Sequence, residues 1–127
     1  MIRGLFRDPT LAVLKKGVEG SDLRMRAIAD NLANASTPGY QRKQVTFEAA
    51  LAEAVKGTLS GARARIEAVR PRTRIDPAAQ PRLDGNSVDF DKEMVAAAEA
   101  TSRNLAILDL LARHYSRLES AILERVR

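Results

Sequence analysis

The sequence has no cysteine, no tryptophan, a single histidine and only 4% aromatic residues in all. Without cysteine there are no disulfides, no thiolate metal ligands and no cysteine nucleophile, and the redox compartment is left open. No stretch approaches the ~20 consecutive apolar residues that a membrane-spanning helix needs. The opening segment Met1-Ile2-Arg3-Gly4-Leu5-Phe6-Arg7-Asp8 lacks the apolar core of a secretory signal, so a soluble chain without a cleavable Sec signal is expected. Gly-rich phosphate loops, nucleophile elbows and metal-spaced pairs are missing as well.

What is present is helical material. The 127 residues are within the size range of one domain, and 45% are hydrophobic. Much of that apolar content is alanine, which fills helix seams but buries little area per residue. A self-sufficient core is therefore harder to build than the helices themselves. The net charge of +5 and pI of about 10.1 suggest an anionic partner or a locally basic segment.

Asp8-Pro9 starts a helix well, with Asp8 as N-cap and Pro9 at the first helical position. Leu11, Leu14, Val18, Ser21, Met25, Ile28, Leu32 and Ala35 then fall on alternating steps of four and three, a heptad seam with Ser21 as its polar interruption. A wide-faced bundle helix is the other reading of this stretch. Gly17 and Gly20 mark either a bend or a close approach by another helix. Ala33-Asn34-Ala35-Ser36-Thr37-Pro38-Gly39-Tyr40 ends the helix, and Thr37-Pro38-Gly39-Tyr40 reads as a type II turn. Asn34 offers an amide to the backbone groups freed at the helix end.

After this hinge, Gln41 to Phe47 reads as extended, and Phe47, Leu51 and Val55 share one face of a short helix stopped by Gly57. From 57 to 85, three prolines and repeated glycines break any period. Arg63, Arg65, Arg70, Arg72, Arg74 and Arg82 make this a flexible, basic, irregular loop. A second long helix is expected from Asn86 or Ser87, capped by Asn86, with Asp89, Asp91 and Glu93 complementing the dipole. Its seam comprises Met94, Ala97, Thr101, Asn104, Leu108, Leu111, Tyr115, Leu118 and Ile122.

The expected fold is all-α in one domain. It has an N-terminal helix over 8–35, a hinge with an extended run and short helix over 36–56, the basic loop over 57–85, and a C-terminal helix over 86–127. The two long helices pack as an antiparallel coiled-coil-like pair. An enzyme is not expected: His114, between Arg113 and Tyr115, reads as solvated or partly packed, and the acidic run serves the helix dipole. No cofactor or metal is implied. A basic helical nucleic-acid-binding protein is the alternative, although the arginines are dispersed and no aromatics interleave with them.

The run Asp30-Asn31-Leu32-Ala33-Asn34-Ala35-Ser36-Thr37-Pro38-Gly39-Tyr40 closely resembles the N-terminal motif of bacterial flagellar rod and hook proteins, roughly N-N-x-A-N-x-x-T-x-G-Y. Asp30 and Ser36 are its small polar departures. Asp84-Gly85-Asn86-Ser87-Val88-Asp89-Phe90-Asp91-Lys92-Glu93-Met94 is similar to the G-N-x-V-D-x-x-x-E-M run of the proximal rod protein in that family. Asn104 departs from the tyrosine common there. The resemblance implies a structural rod subunit, exported without a cleaved signal, that assembles helically through its terminal helices in the periplasmic basal body. It would transmit torque and line the export channel. Implied partners are further copies, the rod proteins FlgC, FlgF and FlgG, the adaptor FliE, the inner-membrane ring and the export gate, with no nucleic acid and no direct membrane insertion. Asn31, Ala33, Asn34, Thr37, Pro38, Gly39 and Tyr40 would carry the hinge between axial and outer layers.

Overall fold

A computed structural model describes residues 8–58 and 60–126, the last three as backbone alone. Residues 1–7 of the opening segment read for a secretory signal and the terminal Arg125 and Arg127 side chains lie outside this description. In chain order the elements are α1 (Pro9–Ala33), β1 (Lys43–Thr46), α2 (Glu48–Val55), α3 (Ala62–Ala68), β2 (Arg72–Ile75) and α4 (Phe90–Val126). The two terminal helices are the long ones, about 38 Å and about 56 Å at 1.5 Å per residue, and they pack together. No helix among the described residues is long and apolar enough to cross a membrane.

α1 begins as its sequence dictates. The Asp8 carboxylate accepts from the Thr10 amide at 2.8 Å, and Pro9 occupies the first turn, where no amide is missed. At the other end the Asn34 amide nitrogen Nδ2 donates to the Asp30 carbonyl at 2.8 Å. It adds a second bond to a carbonyl that already accepts from the Asn34 backbone amide at 3.1 Å.

The expected all-α fold is corrected by a small antiparallel sheet. β1 pairs with β2 in the register Lys43–Ile75, Gln44–Arg74, Val45–Thr73 and Thr46–Arg72. The segment 57–85 is accordingly not irregular. It folds back through α3 and returns as β2, and it supplies Ile66 and Val69 to the core beside Ala12, Ala27, Val45, Phe47 and Ala54. The apolar core is thus centred on the middle of the chain and one side of α1, while many of the large apolar side chains of α4 lie exposed on its flank.

The glycines of α1 are close-approach positions, and side chains fill them. A Cβ added at Gly20 would fall 2.2 Å from Cζ of Phe47, so the ring lies directly on the helix backbone. At Gly17 the neighbour is Ile107 of α4, whose Cδ1 would sit 3.4 Å from the added carbon.

α4 starts at Phe90, later than expected. Asp89 caps it: its carboxylate accepts from the Lys92 amide at 3.2 Å, and its carbonyl accepts from the Glu93 amide at 3.0 Å. The inward row of α4 is Glu93, Ala97, Ala100, Asn104, Ile107, Leu111, His114 and Leu118, all buried or half-buried. Within the expected seam, Met94, Leu108, Tyr115 and Ile122 are instead 42–52% exposed on the flank, and Thr101 is exposed too. On α1, Ile28 is buried, Leu11, Leu14, Val18 and Leu32 are half-buried, and Met25 is exposed. The inner row mixes small and polar residues with Ile107, Leu111 and Leu118, and Ile107 fills the space that Gly17 leaves on α1.

Candidate functional site

The two motif segments singled out in the sequence, 30–40 and 84–94, meet in space and form one polar clasp. Its first centre is Asn31, which is fully buried. Nδ2 donates to the Lys43 carbonyl at 2.8 Å and to Glu93 Oε2 at 3.1 Å. Oδ1 accepts from the Lys43 amide at 2.9 Å and from the Tyr40 hydroxyl at 3.4 Å. A carboxamide has two donors and two acceptor sites, and here all four are used. The single side chain joins the end of α1, the start of β1 and the first turn of α4.

The second centre is Asn86, also fully buried. Its Nδ2 donates to the carbonyls of Asn34 at 2.9 Å and Thr37 at 2.7 Å, while Oδ1 accepts from the Val88 amide at 2.7 Å. The residue expected to cap α4 therefore holds the hinge instead. Around it, the Gly39 amide donates to the Asp84 carbonyl at 2.9 Å, and Arg82 donates to the Ala35 carbonyl at 2.6 Å. The Ser87 amide donates to the Tyr40 carbonyl at 3.0 Å, and Ser87 Oγ accepts from the Arg42 amide at 2.8 Å.

The hinge turn has the expected form. The Tyr40 amide donates to the Thr37 carbonyl at 3.2 Å, and Gly39 has φ +73° at the third position. Gly85 has φ +79°, and a Cβ there would lie 3.3 Å from the Gly39 Cα. The missing Cβ of Gly85 thus lets the two backbones touch, while Gly39 supplies the positive φ that the turn needs.

A buried ion pair closes the clasp. Glu93 is fully buried and accepts from Arg42 Nε at 2.5 Å, and Arg42 Nη1 donates to Asp76 at 2.7 Å. Burial works against the charge on Arg42, but the hydrogen bonds and charges of Glu93 and then Asp76 outweigh it and raise its pKa. Sequence reasoning missed both roles, since Glu93 was read with Asp89 and Asp91 as dipole compensation. The acidic run divides in the structure: Asp89 caps, Asp91 is exposed and Glu93 is interior.

The remaining hinge residues lie around these centres. Thr37 Oγ1 donates to Asn34 Oδ1 at 3.2 Å, and the Tyr40 ring lies 5.7 Å from the Lys43 ammonium. Ala33, Ser36, Thr37, Pro38 and Gly39 are exposed. The arginines of 57–85 do not converge. Arg65 donates to the carbonyls of Ala54, Lys56, Thr58 and Ser60, whereas Arg82 belongs to the clasp. His114 is buried rather than solvated, with Nε2 3.6 Å from an Asp8 carboxylate oxygen and without a hydrogen bond. None of this arrangement brings a nucleophile to a base. Its hydrogen bonds and charges are spent on holding backbone segments together.

The sequence model of the family described as "Flagella basal body rod protein" matches residues 21–41, the end of α1 and the hinge. The chain is 38% identical over 124 residues to the flagellar basal body rod protein FlgB of Cereibacter sphaeroides, covering 92% of this chain and 95% of that one. It is 34% identical over 87 residues to FlgB of Borrelia hermsii, covering 57% and 64%, and 24% identical over 127 residues to FlgB of Bacillus subtilis, covering 89% and 92%. The chain belongs to the FlgB family of flagellar basal body rod proteins.

Proposed function

We propose that this chain is a non-enzymatic structural subunit of the proximal flagellar rod, assembling helically to transmit torque and line the export channel. The observation that carries the reading is the large apolar row on the flank of α4, beside its small and polar inner row. Met94, Leu105, Leu108, Tyr115 and Ile122 are 42–63% exposed. Leu108, Tyr115 and Ile122 recur every seven residues, with Leu105 three before Leu108, a heptad spacing that suits helix-to-helix packing between subunits. Where such a patch, repeated on every copy, meets a different surface on its neighbour, it builds a filament rather than a closed dimer.

Within one subunit the terminal helices form an antiparallel coiled-coil-like pair in this reading. The order of contacts supports it: Asp8 lies by His114, Gly17 by Ile107 and Asn31 by Glu93. Asn31, Ala33, Asn34, Thr37, Pro38, Gly39 and Tyr40 form the joint between the axial pair and the outer sheet, and their exposed members face neighbouring subunits. Proposed partners are FlgC, FlgF, FlgG, the adaptor FliE, the inner-membrane ring and the export gate. The proposed location is the periplasmic rod, reached by export without a cleaved signal.

A deletion strain complemented with Leu108→Glu tests the assembly. We expect the deletion to abolish swimming and leave basal bodies arrested before the rod. The variant should be exported yet fail to restore the rod. Swimming by the deletion strain would overturn the reading.

A further inference from the structure

The small sheet has two outer edges, and they are treated differently. In an antiparallel ladder, alternate residues point their backbone groups toward the partner strand and away from it. The Asp76 amide donates to the Arg42 carbonyl at 2.8 Å, so residues 42, 44 and 46 face 76, 74 and 72. Lys43 and Val45 therefore point outward from β1, and both are covered. Asn31 takes the amide and carbonyl of Lys43, and Arg24 Nη2 donates to the Val45 carbonyl at 3.2 Å. Thr73 and Ile75 point outward from β2, where no hydrogen bond among the described residues reaches their backbone groups. All four residues of β2 are exposed, with Ile75 at 57%.

Charge selects what could pair with this edge. Arg72 and Arg74 share one face of β2, with Arg70 just before it. None of the three makes an ion pair among the described residues: Arg70 donates to the carbonyls of Glu67 and Val69, and Arg74 donates to Thr46 Oγ1. A second copy pairing here would set arginines beside arginines, and like charges across a ladder are destabilising. An acidic strand would meet opposite charges at the same positions.

We propose that the outer edge of β2 is a docking site for an extended acidic segment of another protein. The segment adds as a third strand, with main-chain hydrogen bonds to Thr73 and Ile75 and carboxylates beside Arg72 and Arg74. Backbone pairing supplies affinity and the arginine row supplies selectivity. This inference stands apart from the rod assembly, which uses the helices.

The test titrates the full chain, at low salt, with a labelled dodecapeptide of alternating glutamate and valine. Saturable binding is expected, with amide exchange slowed at least about tenfold at Thr73 and Ile75, as formation of a stable hydrogen bond requires. Thr73→Pro, which removes an outward donor, and the double variant R72E/R74E should each weaken binding by roughly tenfold or more. Methylating alternate peptide nitrogens should abolish it, which decides the matter even if a variant fails to fold. Equal binding by the methylated peptide, equal binding by a lysine–valine peptide, protection at other amides, or dimerisation of the free chain through this edge would each overturn the proposal.

Discussion

Asn31 and Lys43 bond to each other twice, side-chain amide to backbone carbonyl and amide, at 2.8 and 2.9 Å. Asn31 therefore does for the inner edge of the sheet what another strand would do. Asn31→Leu should destabilise the chain by about 2–4 kcal/mol, since it strands buried groups on Lys43 and Glu93 at once. Glu93→Gln should cost a similar amount by leaving Arg42 with only one carboxylate in a buried site. The two losses should be less than additive in the double variant, because the residues share a hydrogen bond. Urea unfolding followed by circular dichroism checks this, and full additivity would contradict a single clasp.

The two close-approach glycines of α1 should respond oppositely to alanine. Gly20→Ala drives a carbon into the Phe47 ring and should cost about 1–3 kcal/mol. Gly17→Ala meets Ile107 at 3.4 Å, near ordinary contact, and gains up to about 1 kcal/mol of helix propensity. Its melting temperature should stay level or rise.

The touching glycines of the clasp differ in the same way. Gly39→Ala finds open space but an unfavourable backbone at φ +73°, and should cost about 1–2 kcal/mol. Gly85→Ala meets that strain and the Gly39 backbone together, so it should cost more. Equal losses in thermal unfolding would argue against the contact.

Stability should fall on acidification. Burial raises the Glu48 pKa, but the hydrogen bond and charge of Arg24 outweigh it and hold the group below its ordinary value. Burial likewise raises Asp8, and its hydrogen bonds with Thr10, then the charges of His114 and Arg117, reverse the sign. Asp89 is lowered chiefly by the Lys92 amide. Carboxylates depressed in the folded state contribute stability above their unfolded pKa of about 4, and that stability is lost as pH drops through the folded values. Glu48→Gln should flatten this acid limb in a pH series of unfolding free energies, and an unchanged limb would refute the assignment.

The parts legible in the sequence were those decided locally. Asp8-Pro9 and Thr37-Pro38-Gly39-Tyr40 carry their own backbone preferences, and heptad steps along α1 and α4 announce two long helices before any packing is known. The sheet was not legible. Arg72-Thr73-Arg74-Ile75 is a short, exposed strand whose partner among the described residues lies about thirty residues upstream, and proline on both sides masks it as loop. The seam on α4 was legible only in part: Ala97, Asn104, Leu111 and Leu118 lie on the inward row, whereas Met94, Leu108, Tyr115 and Ile122 lie on the exposed flank. Glu93, Ala100, Ile107 and His114 face inward, which depends on how α4 is rotated against α1.

The sequence by itself determined the terminal helices, the hinge turn, the family resemblance and the two segments that carry it. Only the tertiary structure decided that those segments belong together. Asn31 and Asn86 look like ordinary helix-end polar residues in a string of letters, since a side-chain amide has no intrinsic preference for one partner. Burial removes water as a competitor, and each amide must then find its partners in backbone brought from a distant part of the chain.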